Sequence, residues 1–197
     1  MSYTPVDHLD EVGNALLKAA DNLLAGEGAG ALTVRRIATE AGVSTMNVYS
    51  RFGGKDGVVE HLFLQGFALL AEAMHAVPET DDPMLDLSIC AEAYRRFALD
   101  HATLYAVMFE RVVADFVPTP GAQAAAMGTL HLLAERLQRT MDAGILRTMN
   151  ATHAAAVVWS TCHGAVSLQL KHLEVSSVDW ERVYHDATTA VIAGLVR

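Results

Sequence analysis

Residues 33–55 read TVRRIATEAGVSTMNVYSRFGGK. Thr33 is followed by two adjacent arginines, Arg35 and Arg36. Ser44, Thr45, Met46 and Asn47 come next, then Tyr49, Ser50, Arg51 and Lys55. No two of these form an acid–base couple or a nucleophile with its base, and no metal-ligand spacing is present. Their chemistry is hydrogen bonding and charge neutralisation. A guanidinium suits guanine O6 and N7, an amide suits adenine, and a methionine can lie on a thymine methyl. Hydroxyls and ammonium groups suit phosphate, which fixes register without reading sequence.

Thr45, Met46, Asn47 and Arg51 are the candidate base readers, and Arg35 joins them from the preceding helix. Thr33, Tyr49, Ser50 and Lys55 are candidate backbone anchors. Arg36 has two open roles, a phosphate or an acidic neighbour such as Glu40. Asn47 pairs with adenine or holds phosphate. Met46 contacts a thymine methyl or packs on Tyr49. Lys55 stands at a helix N-terminus, where the dipole disfavours a cation unless phosphate lies near.

Two short helices must position these groups. Thr33 is expected to cap the first, whose Ile37, Ala38 and Ala41 face inward at helical spacing. Gly42 falls where the chain leaves a helix with positive φ. Val43 packs back, and Ser44 is expected to cap the second helix. Val48 and Phe52 bury one face of that helix and leave the polar set on the other. A small residue at 38, glycine at 42 and an apolar plug at 48 suit helices crossing steeply, as in a DNA-binding helix-turn-helix.

The remainder is consistent with a local reader on an acidic body. Residues 33–55 carry four basic groups against one acidic, +3, in a chain of formal charge −9. An acidic remainder limits non-specific adhesion to phosphate. The 197 residues are 52% hydrophobic, enough for a sizeable core. Cys90 and Cys162 read as two reduced core thiols, which points to a cytoplasmic protein. No signal segment opens the chain. The uncharged run at 148–170 is too polar for a membrane span. None of the nine histidines pairs at i,i+4, and HExxH, CxxC, phosphate loops and GxSxG are absent. Neither an enzyme, a metal nor a cofactor is expected.

Along the chain, Thr4-Pro5 opens a first helix with a stripe of Leu9, Val12, Leu16, Ala20 and Leu23, ended by the glycine-rich run at 26–30. The paired short helices follow, then a fourth helix after Gly53-Gly54-Lys55. Helices are expected at 83–100, 101–110 and 121–143. Another is capped by Asn150, and a last one by Ser176 or Ser177. The fold class is all-α with about nine helices. The functional division is a helix-turn-helix domain at 1–54 and a ligand-binding and dimerisation domain at 55–197.

Residues 154–170 carry no charge on any helical face, so every face needs cover. A second subunit supplies it most simply, with Val158, Gly164, Ala165 and Leu168 meeting Tyr184, Ala187 and Val191 across a two-fold. The alternative is a helix central in its own monomer. Met74, Phe97, Met108, Phe109 and Met127 are candidates for lining an adaptable apolar pocket. So are Trp159 and Cys162, with His131 and His163 as orienting polar groups. At helical spacing the same set also suits a closed core.

The stretch TVRRIATEAGVSTMNVYSRFGGKDGVVEHLF resembles the TetR family of bacterial transcriptional repressors. WSTCHG, with Trp159, His163 and Gly164, resembles a ligand-domain subtype with a Trp/His-Gly signature. The resemblance implies a homodimer binding a palindromic operator in double-stranded DNA. A small apolar or amphipathic effector in the second domain would shift the fourth helix and release DNA. Met46 and Asn47 depart from the family, which often has Gly, Ala or Pro and then Thr or Ser. Two alternatives stay open: an activator without an effector, and a helical binding or scaffold protein that has lost operator binding.

Overall fold

The computed structural model describes residues 9–171 and 178–197. Among them are nine α-helices and no strand, so the all-α expectation holds. The helices are α1 (Glu11–Glu27), α2 (Val34–Glu40), α3 (Thr45–Phe52), α4 (Lys55–His75), α5 (Pro83–Asp100), α6 (Ala102–Phe109), α7 (Pro120–Asp142), α8 (Ala151–Leu170) and α9 (Trp180–Ala193). A 3-10 turn, Ala29–Ala31, joins α1 to α2. Asp10 caps α1 through Gly13 N, and Asp179 caps α9 through Arg182 N. The expected caps Thr4, Ser176 and Ser177 lie outside the described residues. Asn150 caps α8 as expected, accepting from His153 N at 2.8 Å.

Two compact units divide the chain. The first comprises the described part of Met1–Ala68 with His101–Ala126. The second comprises Leu69–Asp100 and Met127–Arg197. These limits differ from a division at residue 54, because α6 and the first residues of α7 group with the N-terminal helices.

In the first unit, Leu16, Ala20 and Leu23 of α1 are buried with Ile37, Ala38, Val48, Phe52, Val58, Val59 and Leu62. Burial of such side chains is the main stabilising term, roughly 1.5–3 kcal/mol each. Gly57 lets the first turn of α4 touch the end of α3. A Cβ there would stand 2.8 Å from the Phe52 carbonyl carbon and closer still to its oxygen. Phe63, Phe67, Phe109, Phe116 and Tyr105 form an aromatic cluster with centroids 4.8–5.9 Å apart, within the range where such pairs attract. Gly66 gives Met108 its place beside α4, where a Cβ would meet Met108 Cγ at 2.9 Å. By composition α4 alone of the described helices is long and apolar enough to cross a membrane. Its buried Val58, Val59, Leu62, Phe63 and Phe67 show it serving as a core helix instead.

In the second unit, α8 packs on α5 and α9 through Ala154, Ala155, Val158, Cys162 and Val166. Two arginines of α7 hold its polar interior. Arg136 Nη2 donates to Met74 O at 2.9 Å and Val77 O at 2.7 Å, satisfying carbonyls at the end of α4. Arg139 Nη1 donates to Asp86 at 2.5 Å, and Arg139 also reaches Thr80 O. Asp86 is 1% exposed and accepts two further bonds of 2.8 Å from Thr80 N and Oγ1. Burial pushes this carboxyl up, but the bonds from Thr80 and Arg139 outweigh it and hold it below the usual range.

Candidate nucleic-acid interface and interior cavity

The α2–α3 pair is built as its spacing requires. Thr33 takes an extended conformation and accepts from Arg36 N at 3.2 Å. Ala41 ends α2, and Gly42 follows at φ +69°. Gly42 N donates to Thr39 O and Val43 N to Ala38 O at 2.9 Å, so the chain reverses with the α2 carbonyls satisfied. Ser44 holds the N-cap position of α3 but makes no capping bond to a backbone N–H. Its Oγ accepts from Asn47 Nδ2 at 3.1 Å instead. Gly53 at φ +71° closes α3.

With Val48 and Phe52 buried, α3 presents Thr45, Met46, Tyr49 and Ser50 to solvent. Met46 is 71% exposed and Tyr49 55%. Two of the expected arginines are engaged within the protein. Arg36 forms a two-pronged bridge to Glu27 at 2.5 and 3.2 Å, not to Glu40. Arg51 grips Asp10 through Nε at 2.8 Å and Nη2 at 2.5 Å, and its Nη1 donates to Asn47 Oδ1 at 2.8 Å. The Arg51 hydrogen bond is the largest cause holding the Asp10 carboxyl at about 2, with Gly13 N second. Arg35 and Lys55 form no ion pair among the described residues, so the uncommitted positive charge beside α3 is theirs.

Asp10 and Glu27 escaped the sequence reading, since their partners lie 41 and 9 residues away with no periodic signal. Through Arg51, Asp10 fixes the amide of Asn47. Its Oδ1 faces Arg51 and its Nδ2 faces Ser44, leaving one lone pair and one N–H for the paired contact that adenine requires.

The second unit holds a cavity of about 560 Å³ that opens to solvent at one edge, where Ser88, Glu92, His185 and Thr189 are exposed. Met74, Trp159 and Cys162, expected at a pocket, line it, as does Met84. The others stand elsewhere. Phe97 is buried away from the walls, and Met108 and Phe109 belong to the first unit. Met127 and His131 face solvent on α7. His163 lies 5.4 Å from the Trp159 ring, with Nδ1 3.5 Å from Tyr94 Oη. Val158 and Tyr184, expected between subunits, line the cavity instead. Gly164 and Leu168 of α8 are exposed, and Ala165, Ala187 and Val191 are half-buried.

The wall missed by sequence reasoning is α9, through Tyr184, His185, Thr188, Thr189 and Ile192. Its signal was the i,i+4 series Tyr184, Thr188, Ile192, Val196, too mixed in polarity to register as apolar. Burial pushes the Cys90 thiol up to about 11 and raises Cys162, so both stay protonated and unreactive.

Family models match both parts. Residues 16–62 match bacterial regulatory proteins of the tetR family, and residues 87–191 match a tetracyclin repressor-like C-terminal domain. No curated protein matches significantly. Among solved structures, a Rhodococcus sp. RHA1 protein of unknown function is 23% identical over 98% of this chain and 100% of its own, TM-score 0.79. The TetR family transcriptional regulator PfmR of Thermus thermophilus is 21% identical over 92% and 99%, TM-score 0.71. SmeT, repressor of the Stenotrophomonas maltophilia multidrug efflux pump SmeDEF, is 21% identical over 94% and 90%, TM-score 0.66.

Proposed function

The chain belongs to the tetR family of bacterial regulatory proteins, and from that premise we propose that it is a ligand-responsive transcriptional repressor. It acts in the cytoplasm as a homodimer on a palindromic operator. Residues 1–54 read DNA, and residues 55–197 bind the effector and dimerise. The observation that carries this reading is the α2–Gly42–α3 unit, with Thr45, Met46, Tyr49 and Ser50 exposed and Asn47 oriented by Arg51. In this reading α3 lies in the major groove. Thr33, Ser50 and Lys55 anchor phosphates, and Arg35 reaches a base edge from α2.

One reader of this size and charge is a weak binder, so a second copy is required. Support for a dimer comes from the uncharged outer side of α8, where Gly164 and Leu168 are exposed, beside Ala187 and Val191 of α9. Successive major grooves lie about 34 Å apart, so the reading calls for a two-fold dimer that presents two α3 elements at that spacing. Trp159, His163 and Gly164 are the residues that support a Trp/His-Gly subtype in this reading. The cavity is the effector site, and α4 is the connector. Lys55 opens α4 beside the DNA-reading helix, and Met74 near its other end is in the cavity wall.

The test is a gel shift with DNA from upstream of the gene itself and of its neighbours. Specific retardation should weaken steeply as salt rises, because phosphate contacts release counterions. Equal affinity for upstream and random DNA sinks the reading and favours a helical scaffold without operator binding.

A further inference from the structure

Resting on the reading of the cavity as an effector site, we infer that its effector is an apolar molecule bearing an uncharged hydrogen-bond donor. Carboxylates of the same shape are rejected. The argument follows the protons of the polar groups in the cavity wall. Tyr184 is 3% exposed and donates its hydroxyl proton to Ala91 O at 2.6 Å, with the Cys162 thiol as a second partner, which leaves its oxygen one lone pair to offer. Thr188 directs its single proton at Tyr184 O and His185 O, at 2.9 and 3.0 Å, and likewise offers lone pairs. Tyr94 Oη stands 3.5 Å from His163 Nδ1, and Glu92 and His185 lie at the exposed edge, with His185 Nδ1 3.6 Å from Asp186.

The deep wall is apolar: Leu87, Val158 and Met74 are buried, with the two protonated thiols. Neither Lys nor Arg lines the cavity. The nearest cations stand behind the wall and not in it, each only partly engaged: Arg95 Nε and Arg136 Nη1 are buried without a hydrogen-bond partner. Arg95 lies 3.5 Å from Glu92 and over the Tyr184 ring at 5.8 Å, and Arg136 is bonded to Met74 O and Val77 O. An anionic head would therefore lose its water against acceptor lone pairs, whereas a hydroxyl finds oriented acceptors on α9. Ser88 and Thr189 at the rim accommodate whatever polarity the outer end carries.

The test uses three ten-carbon probes of one shape: 1-decanol, decyl methyl ether and decanoate. Emission of Trp159 is followed in full-length protein carrying Trp180→Phe, which leaves one tryptophan, in the cavity wall. Decanol should bind at least about ten-fold more tightly than the ether, with decanoate weakest. Thr188→Val, or Tyr184→Phe as a second variant, should shrink the decanol–ether gap to within about three-fold. Ether equal to decanol overturns the inference while leaving the effector site standing. So does decanoate binding best, which would direct attention to the buried, unpartnered Arg95 Nε and Arg136 Nη1 as anion anchors. Silence of Trp159 toward all three, with the protein folded, overturns the effector-cavity reading and this inference together.

Discussion

Gly57→Ala isolates the contact that seats α3 on α4. Nothing in a helix opposes alanine, which gains at most about 1 kcal/mol over glycine there. The obstacle is the Phe52 peptide, because the new Cβ would stand 2.8 Å from its carbonyl carbon. Carbon atoms rest at about 3.5 Å or more, so α3 and α4 must part by at least roughly 0.7 Å. A backbone carbonyl cannot rotate away, which puts the cost near the top of the range for overpacking, about 3 kcal/mol. The net loss is about 2 kcal/mol, a fall in Tm of about 4–8 °C. Operator affinity should fall with it, since the moved helix is the proposed reader. Thermal melting by circular dichroism measures the first effect and gel shift the second. Gly26→Ala in α1 is the matched control, because no heavy atom lies within 4 Å of its Cβ. That variant should melt up to about 4 °C higher. A Gly57→Ala protein melting at or above wild type would refute the packing argument.

Other perturbations separate the remaining roles. Asp10→Asn should lower the preference for operator over random DNA about ten-fold while leaving the slope of affinity against log salt unchanged, because it loosens Arg51 and Asn47 without touching a phosphate contact; a changed slope with unchanged preference contradicts this. Gly164→Arg should convert the proposed dimer to a helical monomer at micromolar concentration, read by sedimentation, and a persisting dimer would place the interface elsewhere. Asp86→Asn should lower Tm at neutral pH. The native pKa of Asp86 lies below its unfolded value near 4, so its contribution is full above that pH and disappears as pH falls through the native pKa. The gap between wild type and variant should therefore close on acidification below about pH 4, and a gap independent of pH argues against an ionised Asp86.

Most of the helical skeleton was legible in the sequence because helices announce themselves locally. The apolar pattern placed α5 at residues 83–100, the capping residue Asn150 placed the start of α8, and the structure agrees. The turn at Gly42 was legible for the same reason. Choice of partner was not. Met108 and Phe109 had the composition of a pocket wall, but an apolar side chain does not state which apolar surface it will meet, and theirs is the Phe67 cluster. Arg36 and Arg51 had the chemistry to reach DNA, but a guanidinium takes the carboxylate that tertiary structure brings near. Tyr184 was right as a buried aromatic and misplaced as an interface residue. Its hydroxyl needed a carbonyl, and Ala91 on α5 supplied it.

The double engagement of Asp10 has a consequence for handling the protein. One carboxylate closes the first turn of α1 and clamps the guanidinium that orients Asn47. Fraying at the start of α1 and loosening of the exposed α3 surface are therefore a single opening event, a shared foldon, not two independent ones. Amide protons of Gly13 and of α3 should exchange at matched rates. A change at Asp10, though far from residue 47 in sequence, therefore also loosens the Asn47 amide.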